Sequence, residues 1–144
     1  MKPQRAHGDL DATAAPTLAR WHEIALSQDA AGLPDILSEN CVFLSPVVHT
    51  PQAGRDITVL YLTGAMQVFN ESFHYTREVL GGHDAMLEFE CTVDGILING
   101  IDIISFGDDG LIEEFRVMVR PLKAMQLLHG KMAVMLEQLK AGAH

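Results

Sequence analysis

Apolar side chains recur at two different spacings along this chain, and the longer spacing marks the helices. Intervals of three and four residues predict a helix that Thr13 caps, with Trp21 on its apolar side. The same spacing predicts long helices over residues 54–69 and 121–140, and a short helical piece is predicted over 33–38. Each long helix therefore has one side suited to packing against another layer.

Alternation at every second position marks the strands. Residues 85–93 alternate apolar and polar side chains and predict a half-buried strand. Strands are also predicted over 41–44, 72–80 and 111–120, and the nearly continuous apolar segment 96–106 predicts a central strand covered on both faces. Because turns rich in Asp and Gly join the later strands, we expect an antiparallel sheet with the helices on one face, which is an α+β fold.

Length and composition narrow the class of protein. The 144 residues fit one domain over 15–140, which includes the C-terminal helix, after a flexible leader over 1–14 that shows no periodicity. The 19 acidic and 10 basic side chains, a net charge of −9, disfavour binding to nucleic acid or to an anionic membrane. No apolar run is long enough to span a membrane. Cys41 and Cys91 lie in apolar surroundings, where free thiols are favoured over a disulfide, and we expect a cytoplasmic protein.

Asp102 differs from the other acidic residues because isoleucines flank it in the strand predicted over 96–106. Burial among apolar groups disfavours a charged carboxylate and raises its pKa unless a partner compensates. The alternative is an ion pair with Arg116 or Arg120, across strands or across a dimer interface. Gly100, in the same strand, is interpreted as a bulge or a close backbone approach.

Two stretches of the sequence resemble the nuclear transport factor 2-like superfamily, which includes ketosteroid isomerases and SnoaL-like polyketide cyclases. They are residues 18–55, LARWHEIALSQDAAGLPDILSENCVFLSPVVHTPQAGR, and residues 100–115, GIDIISFGDDGLIEEF. The resemblance implies a curved sheet wrapped around helices in a cone, as in cystatin-like folds, here with an extra C-terminal helix. It is more specific for fold than for function, because this fold hosts enzymes, binding modules and transport adaptors.

The resemblance to the isomerases places three functional positions on this sequence. The general-base carboxylate falls on Ser45, whose hydroxyl is no base near neutral pH unless it is activated. The oxyanion tyrosine falls on Trp21, whose indole N–H donates a hydrogen bond but is poorly suited to proton transfer. The third position, an aspartic acid kept neutral by an apolar pocket, falls on Asp102. Two of the three roles have changed, so steroid isomerisation by that mechanism is not expected.

Other residues complete the predicted site. His49 lies between prolines on the loop that rims the mouth in this fold, where it is expected to act as the base, the alternative being a solvated loop histidine. Tyr61, on the second long helix, faces inward and either bonds a ligand or fills the core. The further binding positions are His22, Phe89, Phe115 and Val117. No metal or cofactor site is expected, because the remaining histidines lack metal-ligand spacing.

These residues predict a pocket for a small, mostly apolar, carbonyl-bearing molecule. In the first hypothesis the protein is an isomerase, cyclase or lyase, with Asp102 as neutral acid and His49 as base. In the second it binds such a molecule without turnover, and in the third it is a structural dimer or interaction module. We also expect a homodimer through the outer sheet face and the C-terminal helix. That Met- and Leu-rich helix is predicted to cover the open end of the sheet or the partner, with a lid over the ligand as the alternative.

Overall fold

The computed structural model describes residues 5–142, so residues 1–4 of the predicted leader lie outside the described part. The strands are β1 (Arg5–His7), β2 (Leu37–Leu44), β3 (Gln52–Ala53), β4 (His74–Gly81), β5 (Asp84–Val93), β6 (Ile96–Phe106) and β7 (Ile112–Arg120). The helices are α1 (Ala15–Ser27), α2 (Leu33–Ile36), α3 (Arg55–Val68) and α4 (Leu122–Gly142), with a 3-10 turn before α2. Every predicted helix and strand is present, and the α+β class is confirmed. The sequence did not predict β1 and β3, because strands of three and two residues are too short to show an alternating pattern.

The sheet is curved and mixed, not wholly antiparallel as predicted. Its seven strands lie in the order β1-β4-β5-β6-β7-β2-β3. Strands β4 to β7 are antiparallel neighbours joined by the predicted turns, but β1 pairs in parallel with β4, and β2 in parallel with β7. Parallel neighbours require long crossover connections. Such pairing between distant segments leaves no signal in any turn, which is why the sequence did not predict it.

The predicted leader is partly built into the sheet edge. β1 pairs with β4, Leu10 forms a bridge with Gly82, and the Asp11 N–H donates to the Gly82 carbonyl over 3.0 Å. Pairing with an edge strand uses backbone groups and needs no hydrophobic period, so composition carried no sign of it. Thr13 is not the cap of α1 either, because Ala14 occupies that position without a side-chain hydrogen bond.

Gly100 marks a close approach of two elements rather than a bulge. The pairing of β5 with β6 has no register shift, and a Cβ at Gly100 would lie only 2.3 Å from the Cζ of Phe89. The unbroken register preserves the alternation of β6. Its buried positions are Ile98, Gly100, Asp102, Ile104 and Phe106. The other face is less covered than predicted, since Leu97 is 54% exposed.

α4 covers the inner face of the sheet next to α3. It packs against α3, β6 and β7, and buries Ala124 and Leu128. Gly64 on α3 permits the close packing, because a Cβ there would lie 3.2 Å from the Cε of Met132. No helix within residues 5–142 is both long and apolar enough to cross a membrane.

The cysteines follow the sequence prediction. Cys41 in β2 and Cys91 in β5 are free and buried. Burial raises the pKa of the Cys41 thiol, which keeps it protonated at neutral pH. Cys41 therefore serves as a small apolar side chain of the core, whereas the Cys91 thiol donates a hydrogen bond to Oδ1 of Asn70 over 3.4 Å.

Candidate functional site

A cavity of about 270 Å³ lies between the inner face of the sheet and the helices. Apolar side chains from α1, α3, α4 and the sheet form most of its wall. Its polar lining residues are Trp21, Gln28, Ser45, Tyr61, Asp102 and His129. An apolar chamber with a few polar groups is typical of sites that bind small molecules.

Asp102 is the buried acid of this cavity. It lies on the inward side of β6 and is 5% exposed. Tyr75 on β4 donates its hydroxyl proton to Oδ2 of Asp102 over 2.6 Å, and the indole N–H of Trp21 donates to the Tyr75 oxygen over 2.9 Å. Within residues 5–142 no group donates to the other oxygen, Oδ1 of Asp102, although the residue lines the cavity. One carboxyl oxygen is thus fixed by the protein and the other is available to a ligand.

The surroundings of Asp102 favour its neutral form. Burial raises the pKa of Asp102 to about 7, although the hydrogen bond from Tyr75 acts in the opposite direction. Burial and the nearby Asp102 raise the pKa of Tyr75 well above its usual range, so Tyr75 keeps its proton and remains a donor. Within residues 5–142 no arginine pairs with Asp102 across strands, since Arg116 faces Glu114 at 3.8 Å and Arg120 donates to Asn99 at 3.3 Å.

Tyr75 is the site residue that sequence reasoning missed. It faces inward on β4 because the pairing with β5 shifts between Tyr75 and Arg77, which makes Thr76 the extra residue of a bulge. This bulge lets Tyr75 and Glu78, three positions apart, both lie on the buried side. Strict alternation would have placed them on opposite faces. The available signal was a tyrosine within a predicted strand. The bulge at Thr76 shifts the alternation along β4, so the pattern did not show that Tyr75 faces inward.

Most of the predicted site residues do meet at the cavity. Trp21, Ser45, Tyr61 and Asp102 line it, and so do the apolar side chains of β7, Phe115 and Val117. The ring of Trp21 packs edge-on against Phe115, with centroids 4.9 Å apart. This contact packs α1 against β7 in the wall of the cavity.

His49 and two other predicted residues do not line the cavity. His49 is exposed, because Ser45 Oγ accepts hydrogen bonds from the N–H groups of Val47 and Val48 at 3.1 and 3.4 Å. The resulting turn brings residues 46–48 to the cavity and leaves the histidine in solvent. Phe89 lies behind the wall, 1% exposed, where its ring fills the space over Gly100.

His22 faces away from the ligand space. Trp21, Ala25 and Gln28 line the cavity at spacings of four and three residues, and His22 lies about 100° further round the helix. Its Nε2 contacts the carboxylate of Glu78, whose side chain is 7% exposed. His22 is therefore part of a buried pair and not of the cavity wall.

His129 on α4 lines the cavity, and the sequence did not single it out as a site residue. It is exposed but borders the cavity, next to Leu128 and three positions before Met132 on the lining side of the helix. The Met and Leu stripe was the available signal, since His129 lies beside it. α4 therefore forms part of the cavity wall and also covers the sheet, while its role as a lid over a ligand stays a prediction.

Comparisons with solved structures agree with this architecture. A steroid delta-isomerase from Pseudomonas aeruginosa is 40% identical, with a TM-score of 0.88, over 92% of this chain and 97% of that chain. An uncharacterized protein with a cystatin-like fold from Silicibacter pomeroyi DSS-3 is 33% identical, with a TM-score of 0.79, over 85% and 86% of the two chains.

A third similar structure, of lower identity, shows the fold alone. It is an NTF2-like protein from Mesorhizobium loti, 22% identical with a TM-score of 0.68, over 81% of this chain and 99% of that chain. No protein-family model and no curated protein matches the chain. The sequence identity to the first two structures extends over most of each chain, and the fold is shared. The chain therefore belongs to the nuclear transport factor 2-like superfamily.

Proposed function

We propose that the cavity binds a small, mostly apolar, carbonyl-bearing molecule and that neutral Asp102 donates a hydrogen bond to its carbonyl oxygen. The observation that carries this proposal is the asymmetry of the carboxyl group. Oδ2 accepts the Tyr75 proton, so in the neutral acid the proton lies on Oδ1, the oxygen without a protein donor. A neutral donor in an apolar wall orients a ligand without leaving an unpaired charge in the complex.

The size of the cavity limits the ligand. Its volume of about 270 Å³ lies just below the range of roughly 300–1,000 Å³ that is usual for pockets of drug-sized ligands. A compact molecule of one or two rings is therefore the class we propose. Apolar contacts supply most of the binding energy, and the single acid selects a molecule with an oxygen acceptor.

For an enzyme of the isomerase, cyclase or lyase type, Asp102 would stabilise the charge that develops on the carbonyl oxygen. Such a reaction also requires a base. His49, the predicted base, lies outside the cavity, and Ser45 Oγ is engaged in its turn. We therefore propose His129, which borders the cavity from α4, as the base.

Binding without turnover is the second candidate function. It is favoured by the position before Pro46, where the resemblance implies a carboxylate and this chain has Ser45. The serine hydroxyl accepts two backbone hydrogen bonds and so stabilises the loop at the mouth. A protein that holds a carbonyl compound at Asp102 requires no base at this position.

Fluorescence of Trp21, the single tryptophan of the chain, measures binding directly because Trp21 lines the cavity. The probes are monocyclic and bicyclic enones. Asp102→Leu, which removes the donor, is expected to weaken binding about tenfold. Asp102→Asn keeps a neutral donor and is expected to bind nearly as well, but without the loss of affinity at high pH. Equal affinity of the leucine variant and the wild-type protein would refute the proposal.

The same variants separate the two candidate functions. If the protein is an enzyme, Asp102→Asn binds but turns over more slowly, because an amide stabilises the developing charge less than a carboxylic acid does. His129→Gln also lowers turnover, while His49→Gln does not. If it is a binding protein, none of the enones is converted by the wild-type protein. Native mass spectrometry of the purified protein identifies any compound that it retains.

We also propose that a second copy of the chain covers the outer face of the sheet. Apolar side chains there are half exposed, by 44, 43, 54 and 48% for Val79, Met86, Leu97 and Met118. Both Arg77 and Glu88 border this surface, so two copies offer each other opposite charges. Met118→Glu is expected to produce a monomer in sedimentation velocity, whereas Leu26→Glu, on exposed α1 surface, leaves the assembly unchanged. A wild-type monomer at high concentration would refute the dimer.

A further inference from the structure

His22 and Glu78 form a buried pair that the proposed function does not use. Nε2 of His22 contacts Oε1 of Glu78, and their side chains are 26% and 7% exposed. Within residues 5–142 neither of these atoms has another hydrogen-bond partner. The contact pairs a ring nitrogen, which can carry a proton, with a carboxylate oxygen, which can accept a hydrogen bond. A buried carboxylate is costly unless it is paired, so a pair at this place needs an explanation.

The pair joins the same two elements that form the hydrogen-bond chain on Asp102. Trp21 and His22 are consecutive on α1, and Tyr75 and Glu78 share the buried side of β4 because of the bulge. Trp21 donates to Tyr75, and the ring of His22 lies against the ring of Tyr75 with centroids 5.9 Å apart. α1 is thus attached to β4 at two adjacent points, of which one ends on the cavity acid.

We propose that His22 and Glu78 are positioning residues, whose contact fixes α1 against β4 so that Trp21 and Tyr75 stay aligned on the carboxyl group of Asp102. This inference rests on the proposed role of Asp102 as the acid of the cavity. Its geometry, however, is testable without a ligand. The contacts run from α1 through β4 to Asp102. Loss of the contact between His22 and Glu78 should therefore weaken the hydrogen bond that Tyr75 donates to Asp102.

The direction of the effect distinguishes positioning from charge. The hydrogen bond from Tyr75 lowers the pKa of Asp102, so a loosened Tyr75 lets that pKa rise. A direct charge effect has the opposite sign, because removing the negative charge of Glu78 would lower the pKa of a neighbouring acid. Within residues 5–142, the other titratable side chains that line the cavity with Asp102 are Tyr61 on α3 and His129 on α4.

Carbon-13 NMR of the aspartate carboxyl groups measures the titration of Asp102 in the ligand-free full chain, with Asp102→Asn identifying the resonance. Glu78→Leu removes the contact with His22 and is expected to raise the pKa of Asp102 by about 0.5–1 unit. Glu78→Gln removes the charge but keeps a hydrogen-bonding group against the imidazole, and is expected to shift it by less than about 0.3 unit. In a Tyr75→Phe background, Glu78→Leu should add nothing further.

A second His–Glu pair of the same sheet supplies the matched control. His74 and Glu90 are 3.8 Å apart and about one third exposed, and neither borders the cavity. Glu90→Leu is therefore expected to leave the titration of Asp102 unchanged. The double variant His22→Leu/Glu78→Leu removes both polar groups at once and carries the test if Glu78→Leu does not fold.

Three results would overturn the inference: an unchanged titration in Glu78→Leu, a lower pKa of Asp102 in both Glu78 variants, or an equal rise with and without the Tyr75 hydroxyl. An unchanged titration would show that the pair has no effect on the geometry at Asp102. A lower pKa in both variants would show that Glu78 acts on Asp102 through its charge. An equal rise without the Tyr75 hydroxyl would show that the effect does not pass through Tyr75. Enone binding tests the proposed function independently of this titration. If the proposed function fails, the enones do not distinguish Asp102→Leu from the wild-type protein, while the shift caused by Glu78→Leu persists.

Discussion

Replacing Asp102 with asparagine should remove a pH-dependent cost from the folded protein. Burial raises the pKa of Asp102 from 3.8 to about 7. Between these two values the folded protein keeps a proton that the unfolded chain has lost, so the free energy of unfolding falls as the pH rises. A gap of about three pH units corresponds to ~4 kcal/mol, fully present above the higher pKa. Asparagine has nearly the same shape and no proton to lose, so it is free of this cost.

Urea unfolding of both proteins, at pH values spaced between about 4 and 8, measures the effect. Near the lower value the two free energies of unfolding should differ little beyond the exchange of a hydroxyl for an amide. The difference should then grow in favour of asparagine up to about pH 7 and stay constant above it. Other titrating groups are common to both proteins and cancel in the difference.

Asp35→Asn is the matched control for this series, because Asp35 is exposed on α2 and has no ion pair within residues 5–142. Its difference from the wild-type protein should stay flat over the same range. A flat difference for Asp102→Asn as well would refute a neutral acid in the cavity. A difference that grows toward low pH would show instead that the folded protein stabilises the charged carboxylate.

The other predictions concern packing, the hydrogen-bond chain and the cavity rim. Gly100→Ala places a carbon 2.3 Å from a phenylalanine ring atom and should lower the free energy of unfolding by about 1–3 kcal/mol. Gly81→Ala, with nothing within 4 Å, is its control, and equal stability of the two would contradict the close approach. Tyr75→Phe should cost about 1–3 kcal/mol in urea unfolding, because a buried donor and acceptor lose their partner. His129→Gln should alter enone affinity or turnover more than His49→Gln, and equal effects would contradict the placement of the two histidines.

Local patterns were sufficient to predict the antiparallel part of the fold. β5 and β6 were located almost to the residue, because alternation and Asp–Gly turns are properties of neighbouring residues. The parallel pairs β1–β4 and β2–β7 were not predicted, since each joins segments far apart in the chain. Their register depends on packing of the complete domain, which no short window of sequence contains.

The site shows the same division between local and distant information. Asp102 was identified because its strand neighbours are apolar, and burial of that strand follows from its composition. Tyr75 was missed because a single extra residue, Thr76, reverses the alternation of β4. His49 was expected at the cavity mouth, but it lies in solvent. The hydrogen bonds of Ser45 that turn the loop have no signature in the sequence, so this position could not be predicted.

The hydrogen-bond chain also explains how Trp21 can stand where the resemblance implies a tyrosine. The indole N–H cannot transfer a proton, but it donates to Tyr75, whose hydroxyl in turn donates to Asp102. The hydroxyl that reaches the acid thus comes from β4 and not from α1. Because Tyr75 donates its proton to Oδ2, the neutral acid that we propose carries its own proton on Oδ1. A ligand with one carbonyl acceptor satisfies that donor, whereas an apolar ligand without an acceptor would leave it unpaired.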